Sequence, residues 1–293
     1  MGILKWDGTA WSAYSSDTAA DLLSIWGAAP DDIWAVGSSG TTVHYNGSFW
    51  QRQSISRGSE SINGVWGTAL GPGQPSGSSG LVAVGDRGQI LRWTGGDWVL
   101  AVAPGSLTTR SLRAAWGASP SDVWIVGDAG TAVRWNGSQA VLFATGISSD
   151  LHALWGQSAS DLYAVGQSGT LARYDGTRWT ATTLTAAAGS TLRAIWGASA
   201  SELWIAGDNG TLLRWNGTTA TAVASGTVRT LRSLSGTGAT DIWAVGDGGT
   251  FLHYEVGVPE PGPQTFRARW IVVSTRRTRV PWARDDSQPQ VNR

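Results

Sequence analysis

The 293-residue chain has no cysteine, one methionine and only three histidines. Lack of thiols excludes disulfides, zinc–thiolate centres and thiol catalysis together. No run of 18 apolar residues occurs, so no segment is long enough to span a bilayer as a helix. The first residues, MGILKWDGTAW, lack a basic stretch followed by an apolar core, so no signal peptide is read there. None of this fixes the compartment, and an extracellular or cell-surface site is expected if a leader precedes this chain. Charged residues are scarce at 14% and the formal net charge is zero. That zero is unevenly built: residues 1–255 hold 14 Lys+Arg against 18 Asp+Glu, and residues 256–293 hold 7 against 3.

What is abundant is glycine, 40 residues, and tryptophan, 19. Both recur with a period of about 40 residues, best seen in Thr191–Gly217, TLRAIWGASASELWIAGDNGTLLRWNG. Leu192–Trp196 and Leu203–Ala206 alternate at the period of two that strands require. Asn209-Gly210 fits a two-residue type I′ hairpin, because both central residues need positive φ. Leu212–Trp215 is the return strand, and Asn216-Gly217 starts a further reversal. Each unit therefore reads as a four-stranded antiparallel meander. Counting outward from Asn209-Gly210 sets Trp204 opposite Trp215, and likewise Trp34 opposite Tyr45, Trp124 opposite Trp135 and Tyr163 opposite Tyr174. Such aromatic pairs contribute roughly 0.2–1 kcal/mol each.

Six first strands begin at Leu22, Ile62, Leu112, Leu151, Leu192 and Leu231, and six second strands end at Gly37, Gly85, Gly127, Gly166, Gly207 and Gly246. The Gly-, Pro- and Ser-rich stretch Leu70–Gly80 lengthens one turn and reads as a surface loop. The last unit lacks a fourth strand, and Trp11–Tyr14 is expected to lie beside Phe251–Tyr254 and close a ring. The fold expected is therefore all-β: a six-bladed β-propeller of four-stranded antiparallel meanders over residues 1–255, closed by the N-terminal strand. Because Ile3–Gly8 also resembles a third strand, seven blades is the alternative. Residues 256–293 form a Pro-rich linker and a basic, disordered tail, with Arg267, Arg269, Arg276, Arg277, Arg279 and Arg284 around Trp270–Val273.

No Gly-rich phosphate loop, Ser-His-Asp order or calcium loop is present, so no catalytic residue, metal ligand or cofactor is assigned. Asp32, Asp122, Asp161, Glu202 and Asp241 before the second strands, and Asp86, Asp128, Asp208 and Asp247 after their glycines, read as turn acids bonding nearby backbone N–H groups. His44 and His253 share a third-strand position with Lys5, Arg92, Arg134, Arg173 and Arg214, which reads as a repeated exposed cation. The second residue of each first strand is Leu23, Asn63, Arg113, His152, Arg193 or Arg232. If first strands line the ring's centre, these form one polar ring able to hold a carboxylate or phosphate.

The motif W-G-x-S-x-x-D-x-W-x-V-G-D-x-G-T-x-x-R-W-x-G, represented by Trp116–Gly137 and Trp196–Gly217, resembles the repeats of bacterial tectonin-like propellers. It is also similar to neuraminidase-type and photosystem-assembly-factor-type repeats. Resemblance covers residues 3–254. In the hydrolase branch the hairpin box runs S-x-D-x-G-x-x-W, whereas Asp7-Gly8 and Asp175-Gly176 here set aspartate beside glycine, so likeness to sialidases is architectural. The resemblance implies a non-enzymatic binding module, foremost a lectin-like glycan binder using exposed aromatic faces. A protein-interaction scaffold is the alternative and a glycoside hydrolase-like propeller the third reading. Partners expected are a glycan or a protein, with no nucleic acid on the propeller.

Overall fold

In the computed structural model, residues 2–7, 9–55, 60–68 and 80–255 are described, together with the backbone of 269–272. Most of the loop expected at 70–80, and the tail outside 269–272, lie outside the described residues.

Two strands, β1 (Gly2–Trp6) and β2 (Trp11–Ser15), open the chain. Blade 1 follows with β3 (Leu22–Ala29), β4 (Asp32–Gly37), β5 (Thr41–Tyr45) and β6 (Trp50–Gln53). Blade 2 holds β7 (Ile62–Trp66), β8 (Val82–Gly85), β9 (Ile90–Trp93) and β10 (Trp98–Val102). Blade 3 has β11 (Leu112–Ser119), β12 (Asp122–Gly127), β13 (Ala132–Trp135) and β14 (Ala140–Phe143). Blade 4 has β15 (Leu151–Ser158), β16 (Asp161–Gly166), β17 (Thr170–Tyr174) and β18 (Trp179–Thr183). Blade 5 has β19 (Leu192–Ser199), β20 (Glu202–Gly207), β21 (Leu212–Trp215) and β22 (Ala220–Ala222). Blade 6 holds β23 (Leu231–Gly238), β24 (Asp241–Gly246) and β25 (Thr250–Glu255), and β26 (Arg269–Val272) comes last.

The protein is thus an all-β propeller, and its six repeats form six antiparallel blades. Five have four strands, and blade 6 has three among the described residues. First strands of consecutive blades pack on one another from β3 to β23, which makes them the inner wall. Between blades the core is aromatic and aliphatic: Trp34 of blade 1 lies 4.5 Å from Trp93 and 5.5 Å from Trp98 of blade 2. Trp124 of blade 3 sits likewise on Tyr174 and Trp179 of blade 4. Large flat rings suit this role because two sheet faces can share one buried side chain.

Closure differs from the expected pairing of Trp11–Tyr14 with Phe251–Tyr254. β2 pairs with β1, and β1 pairs on its other edge with β26, so the N-terminal hairpin makes a separate, composite sheet of order β2-β1-β26. The ring accordingly holds the seventh sheet that the alternative allowed. Its register is that of a repeat: Trp270 stands opposite Lys5 as Trp124 stands opposite Arg134. The composite sheet therefore supplies second, third and fourth strands. Blade 6 meets it through side chains, with Trp243 at 6.1 Å from Trp6 and Phe251 at 4.8 Å from Trp11. Four residues assigned to a disordered tail are thus part of a sheet.

Register within the blades is one residue away from the expected count. Leu203, not Trp204, stands opposite Trp215, and Trp204 faces Arg214. The turn itself is as foreseen, since Asn209 and Gly210 have φ of 57° and 68° and Thr211 N–H reaches the Asp208 carbonyl at 3.0 Å. Asp208 is the extra residue, because its N–H bonds the Thr191 carbonyl ahead of the first strand at 2.9 Å instead of crossing the hairpin. All six second strands end this way, and a one-residue bulge turns every later side chain to the other face. Gly207 permits that approach, for a Cβ there would overlap the Thr191 carbonyl oxygen.

Candidate functional site

The bulge has a chemical result: it brings the acid after each glycine beside the second residue of the first strand. Arg113 Nε bonds Asp128, Arg193 Nε bonds Asp208, and Arg232 Nε bonds Asp247. Arg193 and Arg232 each add a second contact, Nη2 to Oδ2, at 2.9 and 3.0 Å. Asn63 Nδ2 donates to Asp86 Oδ1 at 2.9 Å and to the Leu112 carbonyl of the next blade at 3.0 Å. These acids were expected to bond turn N–H groups; they instead fix the ring residues. Turn bonding belongs to the hairpins between third and fourth strands, where Asp7, Asn46, Asn136, Asp175 and Asn216 accept from N–H groups two and three residues on. There the Thr177 hydroxyl, then the backbone, holds the Asp175 carboxyl down at about 2.

Blade 4 breaks the inner pattern. His152 replaces arginine and Gln167 replaces aspartate, and Gln167 Nε2 turns to Asp150 Oδ2 at 2.8 Å. Burial first, and then the charges of Arg113 and Arg193 on either side, push the His152 imidazole below its ordinary value. At the opposite side of the ring Leu23 is 50% exposed. The ring thus runs from apolar at Leu23 through amide at Asn63 to paired arginines and one neutral imidazole. Links continue between blades, since the Ala129 N–H donates to Asp150 Oδ1 at 2.7 Å and the Thr230 hydroxyl to Asp208 Oδ1 at 3.2 Å.

Five of the third-strand side chains are also held rather than free. Arg134 Nε donates to Asp122 at 2.9 Å, Arg173 to Asp161 at 3.0 Å and Arg214 to Glu202 at 2.6 Å. His44 and His253 lie 2.7 and 3.0 Å from Asp32 and Asp241 and stack on Trp34 and Trp243. The shifted register produces this, because it sets each of these five directly across from the second-strand aromatic. Among the described residues no group of three or more His, Asp or Glu is placed to hold a metal ion, and no helix is long and apolar enough to cross a membrane.

No family model matches the sequence, and no curated protein does. Solved structures do match. The chain is similar in fold to known propellers. YCF48 bound to a D1 peptide is 18% identical, with 87% of this chain and 100% of that one covered at a TM-score of 0.54. A virginiamycin B lyase from Staphylococcus aureus, catalytically inactive and with quinupristin, is 13% identical over 86% and 88% at 0.65. The WD40 β-propeller domain of Doa1 is 13% identical over 81% and 93% at 0.51. At these identities the likeness is one of fold, and its members include both binding proteins and an enzyme.

Proposed function

We propose that the protein is an interaction scaffold that holds a polypeptide partner on the face where the inner strands begin. The observation that carries this is the asymmetric ring: Leu23, Asn63, Arg113, His152, Arg193 and Arg232 occupy equivalent places yet run from apolar to charged. Acid partners pre-organise Asn63, Arg113, Arg193 and Arg232, so ordering these four on binding costs little. Asn63, Arg113, His152, Arg193 and Arg232 are the residues that touch the partner, with carboxylate or amide groups on it meeting the unfilled guanidinium donors. The YCF48 structure with its D1 peptide and the WD40 domain of Doa1 support a protein partner. Glycan recognition draws less support, because none of the tryptophans within the described residues is exposed. Their faces are taken up between blades.

A photo-crosslinking residue in place of Leu23 is expected to give a protein adduct, while the same residue at Thr218, on the opposite face, gives none. Silence on a glycan array accompanies that outcome. Binding to defined glycans with no adduct from Leu23 overturns it.

A further inference from the structure

Every polar member of the inner ring but one has an acid of its own. Asp86 holds Asn63, and Asp128, Asp208 and Asp247 hold Arg113, Arg193 and Arg232. In blade 4 the acid is replaced by Gln167, whose amide turns away from the ring to Asp150. His152 is left half-buried, with no hydrogen bond among the described residues. Its surroundings are nonetheless crowded with charge. Arg113 acts on it from β11 and Arg193 from β19, with Asp128 in the turn after β12 and Asp150 just before β15. Asp208 stands behind Arg193.

Two guanidiniums are thus set against three carboxylates, a local excess of one negative charge while the imidazole is neutral. Donors for an anion are present all the same, because Arg113 gives only Nε to Asp128 and Arg193 keeps Nη1. A carboxylate entering between them raises the negative excess, and half-buried surroundings penalise like charges at close quarters. One proton on His152 cancels the addition. The three acids are poor places for that proton, since Asp128 and Asp208 bond guanidiniums and Asp150 bonds the Ala129 N–H and the Gln167 amide.

We propose that the ring binds a glutamate or aspartate side chain of its partner between Arg113 and Arg193, and that His152 takes up one proton as this carboxylate enters. The imidazolium donates to the guest oxygen, so a carboxylate and a proton enter together and the local charge stays as it was. Recognition is therefore coupled to pH. Burial and the flanking guanidiniums hold the free imidazole neutral at neutral pH, whereas the guest's charge favours the protonated form. The complex then binds more protons than its separated parts, and affinity rises as pH falls until the guest carboxylate is itself protonated at about pH 4. An arginine here, as at the equivalent Arg113, Arg193 and Arg232, would stay charged throughout and give no such dependence. The inference rests on the polypeptide-binding reading for its guest, and adds the group recognised and the proton that accompanies it.

The test uses the full chain and two short peptides, acetyl-Gly-Glu-Gly-amide and its glutamine counterpart, followed by NMR of the imidazoles. With three histidines in the sequence, the His152 resonance is assigned by its loss in His152→Gln. Expected is a His152 titration midpoint about one pH unit higher with saturating glutamate peptide, which corresponds to about tenfold tighter binding on the acid side. His44 and His253 should stay where they are, and the glutamine peptide should move nothing. In His152→Gln the affinity for the glutamate peptide no longer rises in acid. Arg113→Met is expected to weaken that peptide about tenfold; should this variant not fold, His152→Gln carries the test alone. An unmoved His152 midpoint, equal binding of the two peptides, or an acid dependence that persists in His152→Gln overturns the inference. Tighter binding of inorganic phosphate than of the glutamate peptide overturns the choice of a carboxylate. If the midpoint is unmoved while the Leu23 crosslinker still captures a protein, the scaffold stands without this contact; a moved midpoint with no Leu23 adduct keeps the proton-coupled carboxylate site and removes the polypeptide partner.

Discussion

The junction between blades 3 and 4 and that between blade 6 and the composite sheet are built from equivalent parts at different depth. In the first, Trp124 is wholly buried, 4.6 Å from Tyr174, 5.1 Å from Phe143 and 5.9 Å from Trp179. In the second, Trp243 holds the same strand position but is half-buried, 6.1 and 6.3 Å from Trp6 and Trp11. The first-strand layer beneath carries Trp116 at one and Ser235 at the other. A repeat ring is held by nearest-neighbour contacts, so its weakest joint sets where it opens. That joint is where the first and last described strands meet, and β1 and β26 are sewn together by four paired positions.

Deleting residues 2–15 removes that joint and is expected to have the largest effect: β26 loses its partner, and Trp243 and Phe251 lose Trp6 and Trp11. Calorimetry should then show the single unfolding transition broken into at least two, with blades 3–5 melting last. An unchanged single transition would mean that closure contributes nothing to cooperativity.

Next in size are the two tryptophans compared directly. Trp124→Ala should cost about 3–5 kcal/mol, the range for a large aromatic in a packed core. Trp243→Ala should cost roughly 1–3 kcal/mol, as its ring already borders solvent. Urea titrations of both variants, with m-values checked for constancy, measure the difference. Equal losses would erase the distinction in depth.

Much of the fold was legible because the repeat states it six times. Strand order, the I′ turn at Asn209-Gly210 and the hairpin turns at Asn46, Asn136 and Asn216 follow from local chemistry. Register did not follow, because the extra residue at Asp208 is caused by a bond to the Thr191 carbonyl, a partner in another strand. A signal existed: only blade 5 has Asn-Gly, while the others read Ser-Gly, Arg-Gly, Ala-Gly, Ser-Gly and Gly-Gly, so the copies share just the final glycine. That pattern suits a bulged turn as well as a plain one. The common strand position of the six ring residues can be read from the repeat, but the acid partners of Asn63, Arg113, Arg193 and Arg232 cannot, since that pairing depends on the bulge. Closure was misjudged because Arg269–Val272 lies in basic surroundings, although RWIV matches VWIV of blade 3.

A third prediction carries the comparison to the polar ring, where depth again differs: the Arg193 side chain is 32% exposed and that of Arg232 57%. Arg193→Met should destabilise by about 1 kcal/mol and Arg232→Met by less, since solvent screens the more open pair. The Arg193 hydrogen bond holds the Asp208 carboxyl below its ordinary 3.8. A depressed carboxylate contributes stability above its unfolded value and loses it as pH falls through the folded value. The acid limb of the stability curve below about pH 4 should therefore flatten in Arg193→Met. Equal acid limbs in the variant and the parent would detach Asp208 from that pair.

The smallest expected effect concerns one proton on the better-packed side. His152 lies between Arg113 and Arg193, and burial and those two charges lower its affinity for a proton below the ordinary 6.5. The unfolded chain then binds more protons than the folded one between the folded value and about 6.5, so stability rises with pH across that window. His152→Gln keeps a polar side chain and removes the titration. The slope of unfolding free energy just below about pH 6.5 should become flatter, with stability near pH 8 little altered. A slope unchanged by the substitution would mean that His152 is as open to water as Leu23 across the ring, and the difference in depth would then stop at the tryptophans.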